Sequence, residues 1–281
     1  MHLLQDSVEF LLKKINKKRW DIDLHISGEL LNQLVATNYA ASRLGIPLLG
    51  IYSACATSIV GLIIGSNMIE AGQIKNCICS ASSHNNGAEK QFRYPVEYGG
   101  PKPKTASFTT TGSASAYLSK SKKGIKIDSG TVGIAVDYDL KDANNMGAIM
   151  APAAGDTIYR HLSDMKITVD YYYLILTGDL GKYGTKYLFG YMKTEYNIIL
   201  NNYDDTGTII FDLDNQPVNA GGSGPACAPL VTYSLIFSKM RKKELKKVLI
   251  VATGSLQSAT TVNQKLSIPA IAHAISLEVI E

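Results

Sequence analysis

Ile46–Gly72 reads IPLLGIYSACATSIVGLIIGSNMIEAG, and its reading decides the fold. No formal charge falls between Leu44 and Ile69, the length at which a membrane-spanning helix has to be considered. Pro47 and Gly50 argue against one continuous helix, and Ser53, Thr57, Ser58, Gly61, Gly65, Ser66 and Asn67 interrupt the apolar surface. The stretch therefore divides into a buried strand, Pro47 to Ser53, and a helix from about Cys55 to Ala71. Ile59, Val60, Leu62, Ile63, Ile64, Met68 and Ile69 make that helix apolar on nearly every side, which predicts burial between layers. Cys55 then stands at a strand-to-helix turn. Unpaired backbone N–H groups and the helix dipole favour an anion or a thiolate there, as in a nucleophile elbow.

Working outward, the 281 residues are 46% hydrophobic and 19% charged, enough for two core units of a globular protein. The net charge of +4 is modest. Basic clusters (Lys13, Lys14, Lys17, Lys18, Arg19; Lys122, Lys123; Arg241, Lys242, Lys243, Lys246, Lys247) fall at helix ends and turns, as solvated faces do. Aromatics do not interleave with them, which argues against nucleic acid and leaves an anionic membrane surface open. Four cysteines without a secretory signal predict a reducing compartment. Cys77 and Cys79 on one strand are expected to point to opposite or partner-facing sides of the core, and C-x-C alone is no zinc signature.

The chain opens in a helix with Leu3, Leu4, Val8, Leu11, Leu12 and Ile15 at helical spacing. Strands are predicted at Asp21 to Gly28, Asn76 to Ser83 and Ser113 to Leu118, with a short helix through Ala40 to Leu44. A long loop from His84, rich in Gly, Pro and aromatics, reads as a covering or functional loop. The order then recurs, with a strand at Lys126 to Val136, a helix at Ala151 to Leu162 and a strand at Tyr171 to Thr177. Asp6 to Gly28 matches Asp156 to Gly178 at an offset of 150 residues, and Ile74 to Ser80 matches Leu245 to Val251 at an offset of 171. This predicts two related α/β halves, 1–120 and 121–281, stacked as a five-layer αβαβα sandwich with mixed sheets and the two apolar helices in the middle. The first half has no counterpart of the Lys126 to Val136 strand, so an upstream segment supplying it is expected.

The ACATS turn, the two halves and the GGSGPACA turn resemble the thiolase superfamily, which includes the ketoacyl synthases. SGELLNQ (Ser27 to Gln33), SSHN (Ser82 to Asn85), EKQFRYPVEYGG (Glu89 to Gly100), MAPAAGDTI (Met150 to Ile158), ILTGDL (Ile175 to Leu180), NAGGSGPACA (Asn219 to Ala228), VATG (Val251 to Gly254) and SIPAIAH (Ser267 to His273) narrow the resemblance to a thiolase-fold stage V sporulation family of spore-forming bacteria. That resemblance covers essentially the whole chain. It implies binding of dipicolinic acid, as free acid or calcium chelate, and a role in its uptake into the developing spore. It also implies other stage V sporulation membrane proteins as partners, a homodimer, and a place on the cytoplasmic side or peripheral at the spore inner membrane, with no transmembrane segment.

Cys55 matches the superfamily nucleophile, but the base that chemistry requires has no match. Gly178 and Asp179 stand where ketoacyl synthases carry a His, Asn219 to Ser223 stand where thiolases carry His-Pro-x-Gly and synthases an Asn, so that Asn219 is the one amide near enough to question this, and Ala270 stands where thiolases carry a second Cys. A thiolase fold without catalysis is expected, with Cys55 a vestigial nucleophile; the alternative is a Cys55-dependent acyltransferase or condensing enzyme. The expected pocket holds a small dicarboxylate between the Cys55, Ala56, Thr57 and Ser58 turn and Gly221, Gly222 and Ser223, with His84 and Arg93 at its edge. No cofactor is expected. Nor is a metal, since no two histidines share ligand spacing and Asp212 to Asn215 lacks the rest of a calcium loop.

Overall fold

A computed structural model describes residues 1–92 and 101–280. The first part of the chain contains α1 (His2–Lys14), β1 (Leu24–Glu29), α2 (Val35–Leu44), β2 (Leu48–Gly50), α3 (Thr57–Glu70), β3 (Asn76–Ser83), α4 (Asn85–Phe92), β4 (Phe108–Thr109) and β5 (Gly112–Ser119). The second contains β6 (Gly124–Val132), α5 (Met146–Met165), β7 (Leu174–Thr177), α6 (Gly181–Tyr196), β8 (Tyr203–Asp205), α7 (Thr206–Ile209), β9 (Gly222–Ser223), α8 (Cys227–Val231), α9 (Phe237–Arg241), β10 (Lys247–Ser255), α10 (Ala259–Asn263) and β11 (Ala270–Ile280). A π-helical turn, Thr232–Ile236, joins α8 to α9.

Two sheets carry the fold. The first runs β2-β1-β3-β5 and the second β8-β7-β10-β11-β6. In each, the three leading strands are parallel and the next is antiparallel, so the internal repeat in the sequence is a repeat of topology. Short 3-10 turns at Arg19–Asp21 and Val169–Tyr171 keep the offset of 150 residues. The second sheet ends in β6, which pairs with β11; at the matching edge of the first sheet, no strand beyond β5 is present among the described residues.

α3 packs on β1, β3 and β5 of one sheet and on β6, β10 and β11 of the other. The sandwich thus has three cores. Between the sheets lie Ile26, Ile59, Leu62 and Ile69 with Val248, Ile250 and Ile275. Outside the first sheet, Val8 and Leu12 of α1 and Leu44 of α2 close on Ile78. Outside the second, Met150, Ile158 and Leu162 of α5 and Leu188 and Met192 of α6 close on Ile175, Leu249 and Val251. The apolar surround of α3 is what a middle layer requires, whereas the single stripe Leu4, Val8, Leu12 suits an outer helix. Gly65 lets α3 approach β3, since a Cβ there would sit 2.7 Å from the Cys77 sulfur.

Four details depart from the sequence reading. Cys77 and Cys79 share one face of β3, as residues two apart on a strand must; both face α3, with their sulfurs 3.9 Å apart and Cys79 Sγ 3.2 Å from the Gly61 carbonyl. The strand expected over Pro47 to Ser53 is only three residues long, because the chain leaves the sheet to make the turn before α3. The loop after His84 begins with a helix, α4, which buries only Ala88 and so gives little periodic signal. α6 likewise escaped the pattern, because Gly181, Gly184 and Gly190 dilute a helical stripe completed by Leu188 and Met192.

Candidate functional site

The turn into α3 is fixed by a side chain rather than by an open ring of donors. The Thr57 hydroxyl donates to the Ala54 carbonyl at 2.6 Å and accepts the Ser53 N–H at 3.0 Å. It bridges a backbone in which Ala54 takes φ +46°, a left-handed conformation unusual for a residue with a side chain. The sharp turn presents Cys55, 6% exposed, toward the second half.

Facing it is Asp179, delivered by the ILTGDL segment between β7 and α6. Thr253 Oγ1 donates to Asp179 Oδ1 at 2.7 Å, and the Gly224 N–H donates to Oδ2 at 3.1 Å. The Cys55 thiol lies against the same carboxylate and the Gly224 backbone, both of which act on its proton. Gly224 has φ +96°, and a Cβ there would lie 2.9 Å from Ser83 Oγ, so the position takes neither a side chain nor an ordinary backbone. Cys227, at the start of α8, adjoins the cluster from the second half and lies 3.6 Å from Thr206 Oγ1.

Burial dominates the electrostatics. It pushes Asp179 up to about 6, against the pull of the Thr253 and Cys55 hydrogen bonds and with a further push from Asp205. Asp205 is itself raised by burial, although Thr177 Oγ1 and the Leu180 and Gly181 N–H groups donate to it at 2.6, 2.9 and 2.8 Å. Burial, and then the Asp179 charge, hold the Cys55 thiol well above its ordinary value. Cys227 is raised for the same two reasons. The proton therefore stays on sulfur, and the usual benefit of a helix N-terminus to a thiolate is overridden.

Cys55, Ala56, Thr57 and Ser58 lie together and buried at the N-terminus of α3. Of the two hydroxyls, Thr57's is engaged in the turn, whereas Ser58 Oγ has no protein partner. Gly221, Gly222 and Ser223 belong to the β4–β9 ladder, where the Gly221 and Ser223 carbonyls each accept an N–H at 2.8 Å, from Phe108 and Thr110. Their carbonyls are thus committed to structure, and the glycine that meets Cys55 is Gly224. His84 is exposed just beyond β3. Arg93 lies outside the described residues. His273 is buried on β11, accepts the Gly133 N–H on Nδ1 and is bonded through Nε2 to Ser53 Oγ, each at 3.2 Å, so it braces the turn two residues before Cys55. The motif reading treats Asp179 only as the place of a missing histidine, whereas packing sets its carboxylate against Cys55. The only signal was its place in the repeat, after β7 as Glu29 is in β1.

Among the described residues no group of His, Cys, Asp or Glu could hold a metal ion, and no helix is long and apolar enough to cross a membrane. All four cysteines are free. A cavity of about 440 Å³ lies at the outer face, lined by Tyr159, Leu162, Lys166 and Ile198 at the C-terminal ends of α5 and α6, remote in the fold from Cys55.

The sequence and the fold have known counterparts. The family model for stage V sporulation protein AD matches residues 1–278. The stage V sporulation protein AD of Bacillus subtilis is 45% identical over 276 residues, covering 98% of this chain and 81% of that protein. Among solved structures, OleA from Xanthomonas campestris aligns with a TM-score of 0.64 at 13% identity, over 98% of this chain and 80% of that one. The 3-oxoacyl-[acyl-carrier-protein] synthase III of Aquifex aeolicus aligns with a TM-score of 0.58 at 13% identity, over 95% of this chain and 80% of that one. At such identity these two establish the thiolase-like fold alone, whereas the full-length family match goes further: the chain belongs to the stage V sporulation protein AD family, sporulation proteins built on that fold.

Proposed function

We propose that this chain binds dipicolinate, free or as its calcium chelate, at the mouth of α3 and α8, and serves its uptake into the developing spore without acyl transfer. It would act as a homodimer, peripheral to the spore inner membrane beside other stage V sporulation membrane proteins. The observation that carries the non-catalytic part is the buried Asp179 carboxylate, rather than a histidine, set against the buried Cys55 thiol. A condensing enzyme needs a base that strips its cysteine, and a carboxyl near 6 cannot hold a proton against a thiol raised well above its ordinary value. The ligand's identity comes from the family resemblance. What supports the place is the buried Ser58 hydroxyl without a protein partner, in the first turn of a helix whose dipole favours an anion.

Calorimetric titration of the purified protein with dipicolinate and with picolinate tests this reading. Dipicolinate should bind clearly more tightly, since it brings two carboxylates. Equal affinity for both, or none for either, would overturn the pocket. Acylation of Cys55 from a coenzyme A or carrier-protein thioester, followed by turnover, would install the acyltransferase alternative.

A further inference from the structure

Between Phe10 and Trp20 the chain reads FLLKKINKKRW, with five cations and no acid, one more positive charge than the chain's whole net excess of +4. The internal repeat supplies a control. Residues 160–170 occupy the same place in the second half, a helix end running into a 3-10 turn, and read RHLSDMKITVD. Charge there balances, and Arg160 and Asp170 stand at the positions of Phe10 and Trp20. The fold is built equally well from both sequences. Neither the lysines nor the exposed aromatics are there to make a helix end.

The arrangement is a surface. Phe10 is 69% and Trp20 82% exposed, the two most exposed large hydrophobic side chains among the described residues. Lys13 Nζ lies 5.7 Å from the Phe10 ring, and Lys17 Nζ 5.7 Å from the Tyr117 ring. Arg19 donates from Nε to Glu9 at 2.8 Å and pairs with it through its guanidinium, which ties the 3-10 turn back onto α1 beside Phe10. The pair neutralises the nearest acid of α1. Asp21 caps the local turn by accepting the Lys18 N–H at 2.7 Å.

We propose that this face, formed by Phe10, Lys13, Lys14, Lys17, Lys18 and Trp20, docks on an anionic lipid bilayer surface. Lysines and arginines attract the negative headgroup layer over a Debye length, and a phenyl and an indole ring partition into the headgroup boundary. An acidic protein partner would satisfy the cations but would leave a tryptophan this exposed with no requirement. The inference deepens the peripheral-membrane part of the reading above and does not depend on what the pocket binds. Vesicle binding and dipicolinate titration can therefore fail separately.

Trp20 is the sole tryptophan, so its emission reports on this face alone. The purified chain should sediment with phosphatidylcholine vesicles containing phosphatidylglycerol but not with phosphatidylcholine alone, with a blue shift of Trp20 emission that salt reverses. Lys13→Glu with Lys14→Glu should weaken binding by about tenfold or more, at roughly fivefold per charge. Trp20→Ala should weaken it as well, whereas Lys242→Glu with Lys246→Glu, in the exposed basic cluster elsewhere, should change it far less. No sedimentation with the anionic vesicles, an unshifted Trp20 emission in their presence, or equal losses from the two charge reversals would overturn the proposal. So would binding to polyglutamate that outcompetes the vesicles.

Discussion

The buried Cys55 thiol and the buried Asp179 carboxylate face each other across the interface between the two halves, and the Gly224 N–H holds that carboxylate at 3.1 Å. A contact of this kind keeps the sulfur protonated. Iodoacetamide should therefore label Cys55 slowly at neutral pH, and Asp179→Asn, by removing the adjacent negative charge, should speed the labelling about tenfold. Mass spectrometry of the Cys55 peptide across pH 6 to 9 measures this. Rapid labelling of the native chain at pH 7 would show a thiolate and count against the contact.

Asp179 also leaves a mark on stability. Its carboxyl titrates near 6 in the folded chain, against an ordinary 3.8. Between these values the folded state keeps a proton that the unfolded state has lost, so this group costs stability as pH rises from about 4 to 6, and the cost stays constant above. Fully expressed, it is about 3 kcal/mol. Asp179→Asn should thus gain on the native chain across that window and hold its gain above it, the Thr253 hydroxyl and Cys55 thiol being free to turn toward the new amide. Urea denaturation at a series of pH values tests the slope.

His25 acts in the opposite sense. Buried on β1, it shares Nε2 with Ser80 Oγ at 3.0 Å, while Nδ1 has no partner, and burial lowers its value to about 4. The unfolded chain takes up a proton there first as pH falls, so stability is lost from about 6.5 down to 4, by about 3 kcal/mol. The matching position of the second half is Ile175. His25→Ile should remove this acid sensitivity, and Ser80 would keep its 2.8 Å bond to Ser115. An unchanged acid midpoint in the variant would refute it.

Thr57 and Ser58 are neighbours with different work. Thr57→Ala breaks both bonds that hold the turn and should cost about 1–3 kcal/mol in stability, with Thr57→Ser largely restoring it. Ser58→Ala removes a hydroxyl that has no protein partner, so the fold should hold while dipicolinate affinity drops about tenfold. Thermal melts and calorimetry on the three variants separate the two roles; a Ser58→Ala variant with unaltered affinity would take the ligand off that hydroxyl.

Gly224→Ala should be costly on two counts, a φ of +96° and a Cβ 2.9 Å from Ser83 Oγ. Ser83 cannot simply rotate away, because its hydroxyl donates to the Thr110 carbonyl at 2.7 Å and accepts the Ala226 N–H. A loss of about 1–3 kcal/mol is expected. Denaturant unfolding of this variant beside Gly190→Ala, where a Cβ meets open space, gives the comparison.

The amino-acid sequence by itself determined the architecture. Periodicity marks whether an element is buried on one side or on all, and this separates α1 from α3; the internal repeat then fixes the order of the layers. The strand Asn76–Ser83 follows from such a local pattern, whereas 3-10 turns end at Asp21 and Tyr171, where the pattern begins strands. Elements with little periodic signal, α4 and α6, did not show. The chemistry of the site was decided only by tertiary structure. Cys55, Asp179, Gly224 and Thr253 come from four separate segments, and no spacing along the chain encodes their meeting. Whether a thiol at a helix N-terminus is a nucleophile depends on the charge and desolvation that packing brings to it, and here packing brings a buried carboxylate.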